Sequence, residues 1–139
     1  MPAFVDTNIL LYAASTAPHE ADKSRIARQI LVEGNWRLST QVLQEFYVNA
    51  IRKLTKPLSE AAALAFMQQV TRVQPVAIDL GIVLRGIHNA RRYRISYWDG
   101  AIVAAAQMSG CEILYSEDLN HGQSYDQVRA VNPFQSGLR

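Results

Sequence analysis

Short apolar runs ending in polar or acidic residues alternate along this chain with longer stretches of helical periodicity. Ala3-Phe4-Val5, Trp36-Arg37-Leu38, Val76-Ala77-Ile78 and Glu112-Ile113-Leu114-Tyr115-Ser116 are too short for helices and read as buried strands. Val128-Arg129-Ala130-Val131 is a candidate fifth, stopped by Asn132-Pro133. Between them, Thr7 caps a turn carrying Ile9, Leu10, Leu11 and Ala13. A helix from about Glu20 to Val32 carries Ile26, Ala27, Ile30 and Leu31 and ends at Gly34-Asn35. Ser39-Thr40 opens a helix to about Leu54, with Val42, Leu43, Phe46 and Ala50 on one face. After Pro57, Ser59 caps a helix bearing Ala63, Phe66, Met67 and Val70, and Asp79 caps one bearing Leu80, Val83, Leu84 and Ile87. Trp98 to about Met108 is alanine-rich and apolar nearly all round, hence buried. Such alternation predicts an α/β fold with a mostly parallel central sheet of about five short strands, flanked by helices. The helix pairs around Glu45 and Met67 depart from strict strand–helix alternation.

The 139 residues suit one domain, spanning 1–139, and 49% hydrophobic content with 19% charge argues against disorder. No apolar run reaches the length that spans a bilayer. The start of the chain lacks the basic and apolar segments of a signal peptide, so a cytoplasmic protein is expected. Cys111 stands alone, which excludes an internal disulfide, and there is no Cys/His cluster for zinc. The net charge is only +2, yet four acids gathered in one pocket would leave fourteen basic groups against eight acidic ones elsewhere. That balance favours a polyanionic partner. Arg52-Lys53-Lys56 and Arg91-Arg92-Arg94 are the basic clusters, each equally readable as a solvated helix face.

Four acids from distant segments converge under this topology, because open parallel sheets bind ligands beyond the carboxyl ends of their strands. Asp6 ends the first strand, and Glu117 and Asp118 follow the strand at 112–116. Glu45 lies early in the helix after the second strand, and Asp99 lies in the first turn of the buried helix. Two carboxylates about 4 Å apart repel by roughly 4 kcal/mol at an effective dielectric of about 20, so such a group demands protons or a cation. All-oxygen ligands suit a hard divalent ion, Mg²⁺ or Mn²⁺, which can activate water and stabilise an in-line phosphoryl displacement. Each acid also has a purely structural reading. Asp6 can cap its own helix, and Glu45 can be solvated on a polar stripe with Gln41 and Asn49. Asp99 fits a capping box with Ser96, and Glu117 and Asp118 fit a turn before Asn120 and Gly122.

Taken in order, these segments resemble PIN-domain nucleases. Val5-Asp6-Thr7-Asn8-Ile9-Leu10, Leu43-Gln44-Glu45-Phe46, Tyr97-Trp98-Asp99-Gly100-Ala101-Ile102 and Tyr115-Ser116-Glu117-Asp118-Leu119 follow the family's order and approximate spacing. The last segment, through Asn120-His121-Gly122, resembles the VapC toxins of bacterial toxin–antitoxin pairs. The resemblance implies a compact PIN-like α/β fold and a Mg²⁺- or Mn²⁺-dependent endoribonuclease that inhibits translation. It also implies a homodimer and a small antitoxin partner, with no membrane association. Asp6, Glu45, Asp99 and Asp118 match the acidic quartet as catalytic and metal-binding residues, with Thr7 or Asn8 as polar helper. Glu117, beside Asp118, competes for the last position, which is assigned to Asp118. Gly100 stands where alanine is more usual after the third acid. Arg91, Arg92, Arg94 and His121 are candidate RNA contacts, although a lone loop histidine is more often neither base nor phosphate contact.

Other classes are weighed on the same residues. A non-catalytic RNA-binding PIN domain is marked by loss of acids, and all four are present. A phosphate-ester hydrolase using Asp6 as nucleophile resembles haloacid dehalogenases, which carry a second Asp where this chain has Asn8. A receiver-like signalling module wants a lysine beside the acids, and none is evident in sequence.

Overall fold

The chain's strands are two to four residues long, so each needs neighbours on both sides and helices over its faces to persist. The computed structural model describes residues 2–135. Within them the elements run β1 (Ala3–Val5), α1 (Thr7–Ala14), α2 (Ala21–Glu33) and β2 (Trp36–Arg37). There follow α3 (Thr40–Arg52), α4 (Glu60–Val70), α5 (Leu80–Tyr93), α6 (Tyr97–Met108), β3 (Ile113–Tyr115), β4 (Ser124–Tyr125) and β5 (Val128–Val131). A 3₁₀ turn, Pro18–Glu20, leads into α2.

The sheet order is β2-β1-β3-β5-β4. β1 pairs in parallel with both β2 and β3, and β3 pairs in parallel with β5. β4 alone is antiparallel, folding back on β5. The expected α/β architecture with a mostly parallel five-stranded sheet is therefore observed. One expected strand is replaced. Val76 makes a single parallel bridge to Ser39, and Ala77 and Ile78 are not strand. The segment has Pro75 before it and the α5 cap Asp79 after it, and β2 beside it is only two residues long. The fifth strand comes instead from the β4–β5 hairpin, whose turn holds Asp126 at φ 56°, a left-handed conformation that a short polar side chain tolerates.

Serine or aspartate caps start most helices. Ser39, Ser59, Asp79 and Ser96 accept from the backbone N–H three residues on, at 3.3, 3.1, 3.0 and 3.0 Å. Gly34 ends α2 at φ 80°. The core joins Phe4, Val5, Ile9 and Leu10 to Leu38, Val42 and Phe46 and to the α6 run Ile102–Ala106, with Leu114, Val128 and Ala130. α6 is the central helix, buried from Gly100 through Gln107. It approaches α5 so closely that a Cβ on Gly100 would lie 2.5 Å from the Gly86 carbonyl oxygen, which explains glycine after Asp99. Asn89, fully buried on α5, donates to the Gly100 carbonyl at 3.2 Å and to Gln107 Oε1 at 3.0 Å.

Candidate active site at the carboxyl edge of the sheet

Parallel β1 and β3 carry their carboxyl ends to one edge, where the register Val5–Tyr115 places Asp6 beside Ser116. The Asp6 N–H continues the ladder to the Tyr115 carbonyl at 3.0 Å. Asp6 is 4% exposed. Its Oδ1 accepts from the Thr7 N–H at 2.7 Å, and its Oδ2 accepts from the Ser116 hydroxyl at 2.7 Å. Asp6 therefore caps α1, as its structural reading expected, and does so as a buried acid. Burial above all raises its pKa to about 7, the negative charges of Asp118 and Glu45 push the same way, and the bonds from Ser116 and Thr7 oppose them.

Glu45 projects from α3 with both oxygens engaged. The Thr7 hydroxyl donates to Oε1 at 2.8 Å, and the Gln41 amide donates to Oε2 at 2.9 Å. Asp99 is half-buried in the first turn of α6, where its backbone N–H donates to the Ser96 cap. Burial raises its pKa, as do the charges of Asp118 and Glu45, while the Ser96 hydroxyl lowers it. Asp118 is exposed; Asn8 Nδ2 donates to its Oδ2 at 3.2 Å, and its N–H donates to Ser116 Oγ at 3.1 Å. The four acids therefore share one electrostatic environment, each of Asp6 and Asp99 feeling both Asp118 and Glu45. They do not close into a cage: among the described residues no three acids, histidines or cysteines are grouped tightly enough to hold a metal as they stand. Neutral donors (Thr7, Asn8, Gln41 and Ser116) hold the carboxylates instead.

Glu117 points into a different set of contacts. Tyr12 donates to its Oε1 at 2.7 Å, and Lys23 pairs with its Oε2. Lys23 also reaches the Tyr12 hydroxyl at 3.2 Å and lies over the Tyr12 and Phe134 rings. Asn8 nonetheless touches both acids of the pair, its Oδ1 accepting from the Glu117 N–H at 3.2 Å.

The basic residues divide. Arg92 donates to Asp126 Oδ1 at 3.1 Å, while Arg85, Tyr93 and Gln107 converge on the same carboxylate. Arg91 and Arg94 are exposed, Arg94 capping α5 in the left-handed region immediately before α6. His121 is exposed and its Nδ1 accepts the Asn132 N–H at 3.1 Å. Sequence reasoning missed Ser116, Tyr12 and Lys23, and read Gln41 only as part of a polar stripe. Gln41's four-residue spacing from Glu45 was the available signal. Ser116 becomes visible only once β1 and β3 are known to be neighbours.

A family model described as PIN domain matches residues 3–124. The chain belongs to the PIN-domain family. A toxin–antitoxin complex from Klebsiella pneumoniae contains a chain with TM-score 0.72 and 21% identity, covering 96% of this chain and 98% of its own. VapC20 of Mycobacterium tuberculosis, a sarcin-ricin loop cleaving toxin, gives TM-score 0.67 at 17% identity over 84% and 89%. VapBC2 from Rickettsia felis, bound to a promoter DNA fragment, gives 0.62 at 14% over 94% and 97%. The PIN fold of this chain is thus the fold found in VapC structures. A comparison with curated proteins found no match. No helix of this PIN domain, among its described residues, is long and apolar enough to cross a membrane.

Proposed function

We propose that this PIN domain is a divalent-metal-dependent endoribonuclease, acting as the toxin of a toxin–antitoxin pair. The observation that carries this reading is Asp6, buried at the carboxyl edge with its pKa raised to about 7 and coupled to Glu45 and Asp118. A carboxylate in that setting is stabilised by either a proton or a cation, and Glu45, Asp99 and Asp118 would add only carboxylate oxygens, which suit a hard ion. Asp6, Glu45, Asp99 and Asp118 would hold the ion, Mg²⁺ or Mn²⁺. The ion would supply Lewis-acid polarisation of the phosphodiester and activation of water.

The protein's own residues orient and exclude. Ser116 and the Thr7 N–H fix the Asp6 carboxylate, the Thr7 hydroxyl fixes Glu45, and Asn8 holds Asp118. Asp118, rather than Glu117, is the fourth acid, because Glu117 is engaged by Tyr12 and Lys23. Arg91 and Arg94 are the phosphate contacts on this reading. A small antitoxin partner is supported by relatives solved as toxin–antitoxin complexes, and self-association as a homodimer belongs to the same reading.

The test is cleavage of end-labelled structured RNAs with Mg²⁺, with Mn²⁺ and with chelator. The parent is expected to cut only with metal, and folded Asp6→Asn is expected to be inactive. Full activity of that variant, or cutting in chelator, overturns the reading.

A further inference from the structure

Gln41 is 5% exposed, and its Nε2 donates at once to Glu45 Oε2 at 2.9 Å and to the Trp98 carbonyl at 3.0 Å. Both acceptors lack a hydrogen, so the amide can satisfy them only by presenting its NH₂ to both. The two bonds use the two hydrogens that this nitrogen has. One partner is a carboxylate one turn along α3; the other is the peptide that leads directly into Asp99 on α6. The following N–H, that of Asp99, is held by Ser96 Oγ at 3.0 Å. The peptide that enters Asp99 is therefore pinned at both its oxygen and its nitrogen, and the donor that holds the oxygen also holds Glu45. Thr7 fills the other Glu45 oxygen, so the carboxylate cannot swing without losing a donor from α1 or α3.

We propose that Gln41 is a positioning residue that sets the separation of Glu45 and Asp99 by tying α3 to the first turn of α6. The inference rests on the proposed metal-dependent nuclease and concerns how its acids are held, since hydrogen bonds behind metal-binding carboxylates govern affinity for the ion. Gln41 itself touches neither the ion nor RNA.

Gln41→Met keeps the volume and removes both donors. Two readouts are taken on the whole chain: Mn²⁺ binding by titration calorimetry without RNA, and the separate kcat and KM for a cleaved RNA. The variant is expected to bind Mn²⁺ about 10- to 100-fold more weakly. Its kcat is expected to fall at sub-saturating metal, with KM for RNA and RNA affinity in chelator unchanged. Should Gln41→Met fail to fold, Gln41→Asn, which withdraws the amide by one methylene, is read in the same way. Parent-like Mn²⁺ affinity and kcat in a folded variant overturn the role of Gln41 and leave the nuclease reading standing. A parent that neither binds Mn²⁺ nor cuts RNA overturns both.

Discussion

Asp6 couples the site to stability because its carboxyl holds a proton more tightly in the folded chain than in the unfolded one. Its folded pKa of about 7 lies above the ordinary 3.8. The native state therefore binds the extra proton between those values, and metal-free stability falls as pH rises from about 4 through 7. Three units correspond to at most about 4 kcal/mol. Asn at this position can still accept the Thr7 N–H while its amide donates to Ser116 Oγ. In chelator, Asp6→Asn is expected to melt above the parent at pH 8 and near it at pH 4, as thermal scans across that range would show. A parent whose chelated melting temperature is flat, or rises, over this range contradicts the assignment. Single alanine variants separate arginines that contact phosphate from arginines that are merely solvated. Arg91→Ala and Arg94→Ala should each lower the log–log salt slope of RNA binding by about one. Arg92→Ala should change that slope less, since its guanidinium already pairs with Asp126. Equal slopes for all three variants and the parent would return the cluster to a solvated face.

The packing of α5 against α6 decides where Asp99 stands, and glycine decides that packing. Alanine in a helix interior is favoured over glycine by about 1 kcal/mol, so Gly100→Ala would stabilise an unhindered helix. Here the new methyl meets the Gly86 backbone oxygen at 2.5 Å, and backbone cannot turn aside as a side chain can. Overpacking of this kind costs about 1–3 kcal/mol. A net loss is expected in urea unfolding, with the midpoint lowered and the slope unchanged. Gly86→Ala meets its neighbours at 3.1 Å and should be milder; a stabilised Gly100→Ala would show that the helices separate freely. These elements also mark what a sequence conveys. The helices were legible because caps such as Ser39, Ser59 and Asp79 stand where the periodicity starts. The place of Asp6 was legible because it directly follows an apolar run, whereas Asp118 was told from Glu117 only through the family resemblance. Pairing was not legible: whether Val76 joins a sheet depends on the length of β2 beside it, and the β4–β5 turn rests on Asp126 in a left-handed conformation that many residue types avoid. Lys23 as the partner of Glu117 lies 94 positions away and left no local trace.

Whether the acids at the carboxyl edge act together, or only as separate caps and turns, shows in how the folded chain responds to a cation. A ligand that binds only the folded chain raises its melting temperature with the logarithm of free ligand. A hundredfold excess over the dissociation constant adds about 2.7 kcal/mol. For a domain of this size that is on the order of 10 °C. Mg²⁺ and Mn²⁺ should both produce such a shift in the parent. The capping and metal roles of the first turn of α6 then separate in two variants. Ser96→Ala removes the N-cap that accepts the Asp99 N–H, which should cost about 1 kcal/mol and diminish the metal shift far less than loss of the Asp99 charge does. Asp99→Asn preserves the backbone bond to Ser96 and removes a charge whose pKa is already raised by burial and by Asp118 and Glu45. Its metal-free form should be at least as stable as the parent at pH 8, and its metal-induced shift should shrink sharply. If Asp99→Asn keeps the full shift, Asp99 is a structural residue of α6 and no ligand. If the parent ignores both metals at millimolar concentration, the acids do not act together on a cation, whatever the fold they share.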